Sequence, residues 1–134
     1  PMVVGQTSSF DKGKVLMVTV EGDIHTIGKS IVSMLLESEG FQVIDLGVDI
    51  PASAIVEAVK KEQPKVLGMS SMITTTMPRM KDVIEALAAA GMKNAVKTMV
   101  GGAPISQSFA DSIGADGYAP DGLLAVDKAK ELVS

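Results

Sequence analysis

Short aliphatic, β-branched runs alternate with segments of helical periodicity from one end of the chain to the other, and few architectures accept that rhythm. Val15-Leu16-Met17-Val18-Thr19-Val20 is apolar throughout, as a strand covered on both faces must be. Ile24, Ile27, Ile31 and Leu35 then recur at three- and four-residue steps, which marks a helix, and Gly40 follows where a C-terminal cap would fall. A second strand is expected at residues 43–46, and Asp49-Ile50-Pro51 suits a helix entry with Pro51 in the first turn. Ile55, Val56 and Val59 form that helix's apolar stripe, and Pro64 ends it. Val66-Leu67-Gly68-Met69 is a third strand, and Met77, Met80, Val83, Ile84 and Leu87 form the inward face of a helix stopping at Gly91. A fourth strand at Thr98-Met99-Val100 follows, then a short helix around Phe109 and Ile113 and a small strand at Gly117-Tyr118. A final helix carries Leu124, Ala125, Ala129 and Leu132. Five such β/α pairs, joined by right-handed crossovers, predict an α/β domain of the flavodoxin-like or Rossmann-like kind, a five-stranded parallel sheet with helices on both faces.

The 134 residues suit one domain, and an apolar fraction of 46% supplies its core. Residues 13–134 are expected to form that domain, with residues 1–12 as a lead-in or linker remnant. Zero cysteines and a single histidine exclude disulfides, thiolate nucleophiles and clusters of imidazole ligands. A net charge of −4, scattered basic residues and only 3% aromatics argue against a nucleic-acid surface. Neither a signal peptide nor a run of about 20 apolar residues is present, so no membrane contact and a cytoplasmic location are expected.

In a doubly wound sheet the ligand site lies beyond the carboxyl ends of the strands, and three loops there hold the informative residues. The first runs Glu21-Gly22-Asp23-Ile24-His25-Thr26-Ile27-Gly28-Lys29-Ser30. Gly28-Lys29-Ser30 invites a phosphate-loop reading, but Gly22 and Gly28 are separated by five residues and that motif needs four. What remains is the only histidine, two residues after an aspartate. A metal-ligating imidazole characteristically gives its other N–H to a carboxylate, and Asp23 is placed to accept it; the alternative is an ordinary loop histidine bonded to its neighbouring acid. One protein ligand suffices only for a metal that arrives with its other ligands bound, and a macrocyclic cofactor is the natural candidate. The second loop, Ser70-Ser71-Met72-Ile73-Thr74-Thr75-Thr76-Met77, offers small hydroxyl donors between adaptable methionines. It is also readable as a polar loop in which Thr76 caps the next helix. The third, Gly101-Gly102, is readable as a strand-end turn.

Together, Asp23-x-His25-x-x-Gly28, the hydroxyl run and the glycine pair resemble the cobalamin-binding domain of corrinoid methyltransferase proteins, including the cobalamin module of methionine synthase. The resemblance spans roughly residues 13–133. It implies cobalamin held base-off and His-on, with His25 as the lower cobalt ligand, Asp23 on the remote imidazole nitrogen and Thr76 completing the hydrogen-bonded relay. Gly22, Ile24, Thr26 and Ile27 would surround the cofactor with His25, while Gly28 would leave room at the helix start. Ser70, Met72 and Thr74 would contact the displaced nucleotide tail. Gly101 and Gly102 would let the tail pass close to the backbone, with Tyr118 and Ala119 near its end. Thr26 and Ser30 stand where the family often has Asp and Asn.

The function implied is a methyl shuttle, with methylcobalamin as the loaded state. A donor-specific methyltransferase for methylamine, methanol or an aryl methyl ether would load it. An acceptor methyltransferase passing the methyl group to tetrahydrofolate or a thiol would unload it, and a reductive activating protein would restore the cobalt. Methyl-transferring members of the family carry a helical domain ahead of the cobalamin domain. The alternatives are a small subunit of an adenosylcobalamin-dependent mutase and a non-catalytic receiver-like interaction module.

Overall fold

A computed structural model describes residues 12–134. Most of the lead-in expected over residues 1–12 therefore lies outside the described residues. In chain order the elements are β1 (Gly13–Thr19), α1 (Ile27–Ser38), β2 (Phe41–Asp45), α2 (Ala52–Glu62), β3 (Val66–Ser70), a 3-10 turn (Thr74–Thr76), α3 (Pro78–Ala89), β4 (Lys97–Gly101), α4 (Gln107–Ile113), β5 (Gly117–Tyr118) and α5 (Gly122–Val133). The strands form one parallel sheet in the order β2-β1-β3-β4-β5, so the winding reverses between β1 and β3. Loops leaving those two strands diverge to opposite sides, and the crevice between them is where such a fold places ligands.

Side chains alternate across the sheet, which divides the core in two. Leu16, Val18, Leu67, Met69 and Val100 pack against α2, α3 and α4, whereas Val15, Met17, Val66 and Met99 face α1 and α5. Burial on both faces accounts for the unbroken apolar runs of β1 and β3. Cross-strand register sets Met17 beside Gly68 and Gly68 beside Met99.

The expected α/β order is borne out, with shifts at element ends that have local causes. Val20 lies beyond β1 and makes a single parallel bridge to Ile50. Pro51 precedes the first turn of α2 rather than occupying it. The helix foreshadowed from Ile24 begins only at Ile27, because residues 22–26 are tied up in hydrogen bonds to side chains. Its stripe also turns differently: Ile24, Ile27 and Ile31 are exposed, while Leu36 and, unexpectedly, Lys29 are buried. Met77, not Thr76, holds the position before α3, and it makes no side-chain cap; Pro78 starts the helix instead. Asp121 and Ser106 do cap α5 and α4, accepting from the N–H groups of Leu124 and Phe109. No helix among the described residues is long and apolar enough to cross a membrane.

Candidate functional site

Strand β1 delivers the chain to a loop whose geometry is dictated by one buried carboxylate. Asp23 is fully buried, and its Oδ1 accepts from the backbone N–H of His25 at 2.9 Å and lies 2.9 Å from His25 Nδ1. Its Oδ2 accepts from Met72 N–H at 2.7 Å and stands 3.1 Å from Thr76 Oγ1. Burial pushes the Asp23 carboxyl up, but the Met72 and His25 N–H groups, the His25 ring and the Thr76 hydroxyl outweigh it and lower the group from 3.8 to about 2. The carboxylate is therefore ionised at neutral pH and can only accept.

That constraint orders the protons around it. A neutral His25 carries its proton on Nδ1, facing Asp23, and keeps the lone pair of Nε2 for another partner. The His25 side chain is 57% exposed, so Nε2 is reachable from outside. Thr76, buried in the 3-10 turn, gives its hydroxyl proton to Asp23, and Ser71 Oγ, 2.8 Å away, is oriented to donate to Thr76. The Ile73 carbonyl lies within reach of both hydroxyls, at 3.2 Å from Ser71 Oγ and 3.0 Å from Thr76 Oγ1. The alternative role for Thr76, capping the next helix, is not taken up, because its oxygen is committed to these hydroxyl and carboxylate contacts. Thr19, also buried, fixes the loop's backbone by donating Oγ1–H to the His25 carbonyl at 2.9 Å.

Beside the loop, a cleft of about 360 Å³ opens between α1 and α5 and the sheet face below them. Met17, Gly68 and Met99 line its floor side by side, and Ser70, Met72, Gly101, Gly102 and Ala119 line it towards the strand ends. The first turn of α1, with Gly28 and Lys29, and the start of α5, with Pro120 and Gly122, are its walls. Two glycines shape its floor and rim. A Cβ on Gly68 would meet Met17 Sδ at 2.5 Å. At Gly102, with φ +130°, a Cβ would stand 1.9 Å from the Ser71 carbonyl oxygen, so the loops after β3 and β4 can meet only through glycine. Beside Gly28 a Cβ would touch nothing, so the helix start is open as expected.

Of the candidate residues, the fold joins Asp23, His25 and Thr76 by hydrogen bonds and gathers Gly28, Ser70, Met72, Gly101, Gly102 and Ala119 around the cleft. Gly22, Ile24, Thr26 and Ile27 are exposed along the loop and the start of α1. Thr74 is exposed in the 3-10 turn and is not among the residues lining the cleft. Tyr118 packs against the core on the opposite sheet face. Thr19, Ser71, Met17, Gly68 and Met99 escaped sequence reasoning as site residues. Ser71 lay within the hydroxyl run without being singled out, and Gly68 carried a signal of its own, since a glycine inside a strand marks a close approach or a missing side chain.

A doubly wound sheet with an exposed, carboxylate-bound imidazole at its switch point and an apolar cleft alongside is the arrangement of a cofactor-binding domain. The model of the B12 binding domain family matches residues 13–127. The chain belongs to this family, and cobalamin is its cofactor. It is similar to dimethylamine corrinoid protein 3 of Methanosarcina mazei, at 48% identity over 96% of this chain and 77% of that protein. It also resembles dimethylamine corrinoid protein 2 of Methanosarcina acetivorans, at 52% identity over 95% of this chain and 59% of that protein. Among solved structures it matches the Methanosarcina barkeri monomethylamine corrinoid protein, at a TM-score of 0.88 and 36% identity over 95% of this chain and 61% of that one. The methanol:cobalamin methyltransferase complex from the same organism matches at 0.85 and 36%, over 91% of this chain and 46% of that one. The chain thus spans between about half and three quarters of the length of these proteins. A two-component response regulator of Aurantimonas and a signal receiver domain of Mycobacterium tuberculosis, at 15% and 17% identity, share the fold alone. The site fits a corrinoid on its own geometry: a single reachable imidazole, a glycine-lined cradle and an apolar slot with Ser70 among its lining residues.

Proposed function

We propose that this domain is the corrinoid-carrying module of a methyl-transfer system for methylated amines, with His25 Nε2 as the lower cobalt ligand and the cleft as the seat of the displaced nucleotide tail. The observation that carries the reading is the Asp23–His25 pair at 2.9 Å, which leaves only Nε2 free to ligate. Bound cobalamin would supply a cobalt centre able to accept and surrender a methyl group. Everything else falls to the chain. Asp23 holds the Nδ1 proton and orients the ring, and Thr76, backed by Ser71, keeps that carboxylate charged inside the fold. Exposed Ile24 and Ile27 provide apolar surface beside His25 for the underside of a macrocycle. Gly68, Met17 and Met99 shape the slot for a flat base, with Ser70 at its end, and Gly101 and Gly102 keep its wall thin. The names of the dimethylamine relatives support a methylated amine as donor through a separate methyltransferase. An acceptor methyltransferase and a reductive activating protein complete the system.

The test is reconstitution with hydroxocobalamin, followed by removal of free cofactor and an ultraviolet–visible spectrum of wild type and His25→Ala. Stoichiometric retention with a spectrum that changes in His25→Ala is expected. Identical spectra from the two proteins would overturn axial ligation by His25.

A further inference from the structure

Residues 22–26, which carry His25, belong to no helix or strand and must be held by their neighbours. Asp23 fastens the segment to the β3 side through Met72 and Thr76. On the β2 side, the loop between β2 and α2 grips it at both ends. Upstream, Asp49 Oδ1 accepts from Gly22 N–H at 2.7 Å while Asp49 N–H donates to the Asp23 carbonyl at 2.9 Å. This reciprocal pair forms with Asp49 at φ 56°, a left-handed conformation that aspartate tolerates better than most residues. Ile50 N–H adds a bond to the Thr19 carbonyl at 3.3 Å.

Downstream, Lys29 lies in the first turn of α1 with its side chain only 1% exposed. Its Nζ reaches Asp45 Oδ1 at 2.6 Å and the Gly47 carbonyl at 2.7 Å. Asp45 Oδ1 also accepts from Gly47 N–H at 2.8 Å, and the Gly47 carbonyl accepts from Thr19 N–H at 3.0 Å. A buried ammonium is costly unless paired, so this contact is of a different weight from the helix-surface ion pairs elsewhere in the chain. One loop therefore holds both the residues just before His25 and the helix turn just after it.

We propose that the loop at residues 46–51 is a clamp that sets where His25 presents Nε2, with Asp49 and Lys29 as positioning residues at its two ends. The inference rests on the reading of His25 as axial ligand. Metal ligation tolerates errors of only about 0.2 Å in ligand distance, so a loop free at either end would lose ligation before it lost its fold.

The test uses nitrogen-15-labelled protein reconstituted with cobalamin and reduced to the cobalt(II) state. Electron paramagnetic resonance then distinguishes a protein nitrogen on cobalt (a doublet) from the cofactor's own unlabelled base (a triplet). Asp49→Gly keeps the left-handed backbone but removes the acceptor, and Asp49→Asn keeps both. Asp49→Gly and Lys29→Met are expected to lower the doublet fraction at least two-fold, and Asp49→Asn to retain it. In the cofactor-free protein, Asp49→Gly is expected to speed amide exchange at Gly22 at least ten-fold. A full doublet together with unchanged Gly22 exchange in Asp49→Gly would overturn the clamp, and that variant decides alone if Lys29→Met does not fold. Absence of the doublet from wild type would instead remove the axial-ligand reading, and the clamp's purpose with it.

Discussion

At the scale of single residues, the site depends on an ionised carboxylate held inside the protein by four donors. Thr76→Val keeps the shape of the side chain but removes a donor from Asp23 and an acceptor from Ser71. It is expected to destabilise the cofactor-free protein by about 1–3 kcal/mol, the range for leaving a buried polar group unsatisfied, as read by urea denaturation. Carboxyl carbon shifts followed by NMR should show the Asp23 group moving up from about 2 towards its ordinary value. The Asp23–His25 contact was legible in the sequence because two residues of loop suffice for the carboxylate to reach both the backbone N–H and the ring. Thr76 was legible only through the family resemblance, and its competing role as a helix cap dissolved once Pro78 was seen to start α3. Lys29 entered the sequence reading only through the discarded phosphate loop, and nothing local showed that its ammonium is buried against Asp45 at the end of β2.

At the scale of elements, the cleft exists because β3 places a glycine where its neighbours place methionines. Gly68→Val would fill that floor, starting from a Cβ 2.5 Å from Met17 Sδ. Spectrophotometric titration should show cobalamin affinity falling by about ten-fold or more, equivalent to ~1.4 kcal/mol, while cobinamide, which lacks the nucleotide tail, binds as to wild type. Equal loss of both ligands would mean that the cleft does not seat the tail. Gly102→Ala tests the loop junction: a Cβ 1.9 Å from the Ser71 carbonyl, at φ +130°, should cost on the order of 2–4 kcal/mol in a denaturant titration. The strands and helices themselves were legible because each must present a continuous apolar face to a sheet covered on both sides. Their ends were less so, since caps and starts depend on which polar groups find partners elsewhere.

At the scale of the whole molecule, acid stability should carry the signature of Asp23. Its carboxyl binds its proton less readily folded than unfolded, so its contribution to stability is complete above the unfolded value of 3.8 and is lost as pH falls from about 4 to about 2. Urea midpoints of the cofactor-free protein should fall through that window, and Asp23→Asn should flatten the fall while lowering stability at pH 7. A flat profile in wild type over the same range would contradict the depressed carboxyl. Cofactor binding acts in the opposite direction on the entire fold. At a free cobalamin concentration 100 times Kd, stability should rise by about 2.7 kcal/mol, seen as a higher Tm.

The α/β rhythm, the single imidazole with its aspartate two residues away, and the glycines at the loop ends can all be read along the chain. Each is a local property: periodicity and short spacings survive projection onto one dimension. Folding in three dimensions is what makes Thr76 serve Asp23 rather than a helix, opens a cleft at Gly68 between two methionines, and brings one loop against both ends of the His25 segment. Asp49 meets Gly22 across 27 positions and Thr76 meets Asp23 across 53, through strand order 2-1-3 and its crossovers. Contacts of that separation are set by which strands become neighbours, and no periodicity along the chain encodes which side chains then meet.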